Sequence, residues 1–295
     1  MVTGPTPPRL LRLPVQADTD PAHGGRWTSL RAGGREWLWH RPDPARHTVR
    51  PGATFVDAGG LEECLPTVRG TPDHGDAWSR PWRRTRDGDV LEGPDFTLRR
   101  TIRSGPDALR ARYRLTADPG HRLLWAAHAL LDVGHDARLS APHGAATRLF
   151  PEAAALLDRP WPPGAPHLTG PWPSPHGLRL DRLGPDDGTA LGAIITDCPS
   201  VQVTDGPDTL TLTVHTDAEV PVSVALWRNL GGWPESSPYR SIGVEPMLGA
   251  VFDLAEAGPD DAATVPADGA LSWELEISAT RIPRLPAPTP PEGSR

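Results

Sequence analysis

Three ionisable residues stand where a charged side chain needs a reason to be. His74 opens the run HGDAWSRPW beside Trp78 and Trp82, a stretch too broken by Gly and Pro for a helix or a central strand. His128 interrupts the apolar run LLWAAHALLDV, and Glu245 sits between Val244 and Pro246 in IGVEPML. An unpaired carboxylate is costly to bury in such a run, so Glu245 needs a partner or a ligand. Imidazoles titrate near neutral pH and carboxylates accept protons, so proton transfer is the chemistry these residue types offer. Each has a plain structural alternative: His128 as a hydrogen-bonded core residue, Glu245 in an arginine salt bridge, His74 shaping a turn, and the tryptophans filling the core.

Other chemistries are disfavoured by what the chain lacks. It has no lysine, all 30 of its positive side chains being Arg, which removes Schiff-base and lysine-base mechanisms. No GxSxG, GxGxxG or Walker run occurs, against hydrolase, dinucleotide and nucleotide readings. Cys64 and Cys198 form no CxxC pair and read as small buried apolar residues. A metal set drawn from His128, Asp132, His135 and Asp136 fits no ordinary ligand spacing in a β context, so neither metal nor cofactor is expected. The net charge of −7 is spread along the chain without a basic block, which argues against a nucleic-acid partner.

Such side chains must be held by strands. In ALRARYRLTA, Leu109, Ala111, Tyr113 and Leu115 alternate with arginines, the period of a strand with one wet face. TLTLTVHT and LSWELEIS repeat the pattern, and further candidates are GRWTSLRAG, REWLWH, DFTLRRTIRS, RLLWAAHALLDV, TALGAIITD, SVQVTD, VPVSVALWRN and SIGVEPML. Only PEAAALLD and FDLAEAG read as helical, and both are short. Thirty glycines and 37 prolines among 295 residues fit many turns rather than long helices. The expectation is a mainly β, largely antiparallel fold with few short helices.

No composition break divides the chain. We expect a weakly ordered N-terminal tail over 1–20, one domain over 21–284 carrying a long Pro/Trp-rich surface loop at 159–177, and a disordered Pro-rich tail over 285–295. No run is apolar enough for a signal peptide core or a membrane span, so a cytoplasmic location without a membrane partner is expected.

Taken in order, GGRWTSLRAGGREWLW, GGLEECLPTV, DHGDAWSRPW, LLWAAHALLDV and IGVEPMLGA resemble the successive signature segments of the aldose 1-epimerase-like, or galactose mutarotase-like, superfamily. Each motif alone is short enough to recur by chance, and their order over nearly the whole chain from about Gly24 makes the likeness specific. The resemblance implies a β-supersandwich and an enzyme that interconverts the α and β anomers of a hexose or related sugar. That reaction uses a base on the anomeric hydroxyl and an acid on the ring oxygen, expected on opposite sides of one ring, and no metal or cofactor.

By this resemblance Glu245 is the base and His128 the acid, and His74 polarises the ring oxygen or its neighbouring hydroxyl. Trp78 and Trp82 would be apolar walls, Glu62 and Glu63 would bond sugar hydroxyls, and Trp227 would approach the pocket. Family members acting on sugar phosphates resemble HGFAR where this chain reads HGDAW, with Arg80 shifted by two, so the substrate is a free or a phosphorylated aldose. Two other readings stand beside it: a carbohydrate-binding protein that has kept the cleft and lost turnover, and an isomerase or lyase removing a proton from carbon.

Overall fold

The computed structural model describes residues 10–283. Two large sheets carry the chain. One has nine strands, ordered Arg138–Ser140, Ser200–Asp205, Asp208–His215, Ala270–Arg281, Leu109–Ala117, Phe96–Ser104, Gly88–Glu92 and Arg83–Thr85, with Leu11–Leu13 also along Ala270–Arg281. The other has ten: Leu168–Pro171, Ala146–Leu149, Thr189–Ile195, Val222–Trp233, Tyr239–Leu248, Trp125–Leu131, Leu61–Cys64, Arg26–Ala32 and Val15–Asp20, with Arg35–Glu36 on Arg26–Ala32. The central ladders are antiparallel. Among the described residues no helix is long and apolar enough to cross a membrane. The two segments read as helical form short 3-10 helices, Pro151–Leu156 of two turns and Leu254–Glu256 of one.

Alternation decides which side chains meet between the sheets. Leu109, Ala111, Tyr113 and Leu115 join the main core while Arg112 and Arg114 stay exposed. From the facing sheet, Ala127, Ala129 and Leu131 enter the same core, and the Trp125 ring lies 5.0 Å from Tyr113 and 5.2 Å from Trp273. Strand Trp125–Leu131 is buried on both faces. Its other face, with Ala126, joins a second cluster of Cys64, Ala225, Met247 and Phe252.

The N-terminal expectation is corrected. Leu11–Leu13 and Val15–Asp20 are strands rather than tail, because pairing with Ala270–Arg281 and Arg26–Ala32 satisfies backbone groups that the local sequence leaves open. The 159–177 loop also contains an edge strand, Leu168–Pro171, paired with Ala146–Leu149. The expected tail at 285–295 lies outside the described residues.

Candidate functional site

Strands Trp125–Leu131 and Tyr239–Leu248 run antiparallel with Ala126 opposite Met247 and Leu130 opposite Gly243. That register sets His128 against Glu245, and the period of two turns both away from the main core. Nδ1 of His128 lies 2.9 Å from Oε1 of Glu245. The oxygen sits off the N–H direction, so the contact is a charge pair rather than a linear hydrogen bond. On its other side His128 pairs in register with Glu62. His128 is 8% and Glu245 2% exposed, and Glu245 Oε2 is buried with no hydrogen-bond partner among the described residues.

These two residues lie in the wall of a cavity of about 510 Å³, a usual size for a small-molecule site. Leu130, Trp227 and Trp233 extend the strand wall, and loops contribute Phe55, Asp57, Arg69, His74, Glu152 and Phe252. The His74 ring stacks on Phe55 at 3.6 Å and meets His128 edge to face at 5.1 Å.

Local backbone rules explain the HG pair. His74 has φ of 60°, a left-handed conformation, and a Cβ on Gly75 (φ 73°) would fall 2.2 Å from the Leu65 carbonyl oxygen. Bonds from His74 N to Val68 O (3.1 Å) and from Asp76 N to Leu65 O (2.6 Å) hold this turn against the chain at 65–68.

The two histidines are tuned in opposite directions. Burial opposes charge on His128, but the Glu245 carboxylate, assisted by Asp57 and Glu62, draws its pKa above the ordinary imidazole value. For His74 burial dominates; neighbouring Asp73 raises the pKa only in part, and the result lies below the ordinary value. His128 is thus the imidazole that keeps a proton more readily, and His74 the one that stays neutral.

Several expected contacts are not made. Trp78 and Trp82 are 0% and 3% exposed and do not line the cavity. Their indole nitrogens donate to Asp73 O (3.1 Å) and Ala77 O (3.0 Å), and Trp82 lies under the Arg100 guanidinium, so they anchor the loop from behind. Trp78 does support the site indirectly, meeting Phe55 edge-on at 4.9 Å. Glu62 and Glu63, expected to bond sugar hydroxyls, are buried in ion pairs and do not line the cavity. Glu62 accepts from Arg46 Nε and Nη2, both at 2.9 Å, and burial pushes its carboxyl upward despite that pair. Glu63 faces the opposite side, accepting from Arg100 and Tyr113 at 2.8 Å on Oε1 and from Trp125 at 2.8 Å on Oε2.

Arg80 is held 2.9 Å from Asp76 and lines a neighbouring hollow of about 540 Å³ in which no histidine takes part. His128 and Glu245 also stand side by side on one wall, and not on opposite sides of the cavity as expected, because their strands are hydrogen-bonded neighbours.

Phe55, Asp57, Arg69, Glu152 and Phe252 were not singled out from sequence, and Trp233, read there as core filling, lies in the cavity wall at 46% exposure. Asp57 gave one faint signal, an acid just before Gly59–Gly60, a position equally suited to a turn. It fills that turn role, accepting from Gly59 N at 3.1 Å, and also accepts from the Tyr239 hydroxyl.

No protein-family model matches the chain, and no curated protein matches it in sequence. Solved structures do match in shape. The Slr1438 protein of Synechocystis sp. PCC 6803 superimposes with a TM-score of 0.64 at 15% identity, over 95% of this chain and 100% of that one. A protein provisionally named an aldose 1-epimerase, from Escherichia coli K12, gives 0.62 at 12% identity, over 92% and 99%. A galactose mutarotase-like protein from Lactobacillus casei ATCC 334 gives 0.54 at 17%, over 91% and 100%. With its two antiparallel sheets, short helical turns and these neighbours, the chain has the β-supersandwich fold of galactose mutarotase-like proteins.

Proposed function

We propose that the protein interconverts the α and β anomers of an unphosphorylated aldose by acid–base opening of the sugar ring. The observation that carries this reading is the His128–Glu245 pair in the wall of the cavity, with an unsatisfied Glu245 oxygen behind it. Names borne by fold neighbours, among them mutarotase and aldose 1-epimerase, support the same class of substrate.

Glu245 removes the proton from the anomeric hydroxyl while His128 delivers its proton to the ring oxygen, and the C1–O bond of the ring breaks to leave an open-chain aldehyde. Rotation about C1–C2 turns the carbonyl over. Reclosure on the other face returns both protons, so nothing is consumed. Both reacting oxygens are bonded to C1, which lets two neighbouring groups on one wall reach them. His74, kept neutral, bonds an adjacent hydroxyl, and Trp227 and Phe55 supply apolar surface for the ring's C–H face.

The finer choice of a free sugar rests on charge. Among the described residues, Asp57, Asp73, Glu152 and Glu245 face the cavity against a single guanidinium, Arg69, which is already 2.7 Å from Glu152. A phosphate would meet like charge without a free Arg fork. Exchange NMR on paired free and phosphorylated aldoses is expected to give at least about tenfold higher kcat/KM for the free sugar. Equal or reversed preference would remove the charge argument.

The pH profile tests His128. Its acid role requires the protonated ring, whose pKa is raised in the folded chain, so activity should hold through neutrality and decline as pH climbs past that raised value. His128→Asn should slow exchange and abolish this alkaline limb; a variant that keeps the wild-type profile would assign the limb elsewhere.

A carbohydrate-binding protein without turnover is the second reading, and the direct 2.9 Å contact favours it, since acid and base neutralise one another until a sugar separates them. Saturable sugar binding by calorimetry with no acceleration across a panel of aldoses would decide for it.

A further inference from the structure

Outside the cavity, Asp20, His23 and His47 bring two imidazoles and a carboxylate together, with their potential ligand atoms within 4.8 Å of one another. Asp20 ends the strand Val15–Asp20, His23 closes the single 3-10 turn Pro21–His23, and His47 belongs to the turn Pro44–Thr48. Asp20 Oδ2 lies 2.7 Å from His23 Nδ1, and the two imidazole centroids are 5.0 Å apart and nearly perpendicular.

The two turns are fixed to each other from beneath. Arg46, next to His47 and 2% exposed, donates through Nη2 to the His23 carbonyl at 2.9 Å and to the Trp78 carbonyl at 3.0 Å. The same guanidinium is paired with buried Glu62. Close approach is possible because Gly24 (φ 78°) follows His23: a Cβ there would lie 1.9 Å from Trp78 O and 2.9 Å from Arg46 Nη2. The side chains above this base therefore start from a fixed separation instead of being gathered from a loose loop.

We propose that Asp20, His23 and His47 bind a first-row divalent transition cation of the Zn²⁺ kind. Two imidazoles with one carboxylate suit such borderline ions, whereas Ca²⁺ and Mg²⁺ take oxygen ligands. Metal–ligand distances of about 2.0–2.2 Å put neighbouring ligand atoms of a tetrahedral site roughly 3.4 Å apart, so the cluster needs only a modest contraction. The exposed His47 side chain is free to swing inward, and the remaining positions are left for water. Arg26 and Arg46, the nearby cations, both face Glu62 at 3.5 and 2.9 Å, which offsets their repulsion of an incoming ion.

The test titrates the untagged full chain with Co²⁺, followed by its visible ligand-field bands, and then displaces it with Zn²⁺. Saturation at one ion per chain is expected, and His47→Ala and Asp20→Asn should each weaken binding by at least about tenfold. His47 is exposed, so its loss leaves the fold intact, and anomer exchange in the same variants should be unchanged. Absence of saturable binding in the wild-type chain, or wild-type affinity in both variants, would overturn the assignment.

Discussion

Glu245→Gln is expected to lower catalysed anomer exchange by roughly 100- to 10,000-fold while leaving sugar affinity within a few-fold of wild type. The amide keeps the shape of the carboxylate in a wall where Glu245 is 2% exposed, so the cavity should survive the change. It cannot accept the anomeric proton, and it no longer draws the His128 pKa upward, since the carboxylate is the principal opponent of burial there. If the proposed roles hold, one substitution removes the base and leaves the His128 ring less often protonated at neutral pH, which is why the expected effect exceeds that of His128→Asn. Polarimetry of a freshly dissolved single anomer measures the rate, and calorimetry the affinity. Turnover near that of wild type would refute the acid–base reading; loss of both binding and turnover would indicate a site that had collapsed, which a thermal melt would reveal.

The largest stability effect should come from Arg100→Ala. Arg100 is 1% exposed and joins the two sheets: Nη1 donates to Glu63 Oε1 at 2.8 Å and to Gly25 O at 2.7 Å, and Nη2 to Asp89 Oδ2 at 3.1 Å. Removing it leaves the Glu63 carboxylate, 0% exposed, facing Trp27, Tyr113 and Trp125 without a cation. Breaking such a buried pair costs about 3–5 kcal/mol, a large share of the roughly 5–15 kcal/mol that keeps a domain folded. Urea unfolding should register it as a lower midpoint at unchanged slope. A cost under about 1 kcal/mol would mean that water or the neighbouring indoles carry the charge alone. The double replacement Arg100→Met with Glu63→Leu should recover much of the loss, because it removes the Arg100–Glu63 pair from the core and leaves Asp89 its contact with Arg84 at 3.3 Å.

The fold was legible because strands advertise themselves by alternation. ALRARYRLTA becomes Leu109–Ala117 with its four apolar residues in the core, and DFTLRRTIRS and SIGVEPML match Phe96–Ser104 and Tyr239–Leu248 closely. Val15–Asp20 and Leu168–Pro171 were not legible, since their pairing partners rather than their own composition make them strands. The Trp78 and Trp82 expectation failed for a related reason: an indole serves equally as a cavity wall or as buried support, and chain composition does not distinguish the two.

What the sequence determined by itself was most of the strands and the presence of three ionisable residues, His74, His128 and Glu245, in segments where a charged side chain needs a partner or a ligand. Tertiary structure alone decided that His128 and Glu245, 117 positions apart in the chain, stand 2.9 Å apart on one wall, and that Glu62 and Glu63 pair with arginines on opposite faces of one strand. The reason is physical. Local pattern fixes the alternation of side chains, but which face becomes core and which residue meets which across a ladder depends on strand register and on the partner sheet.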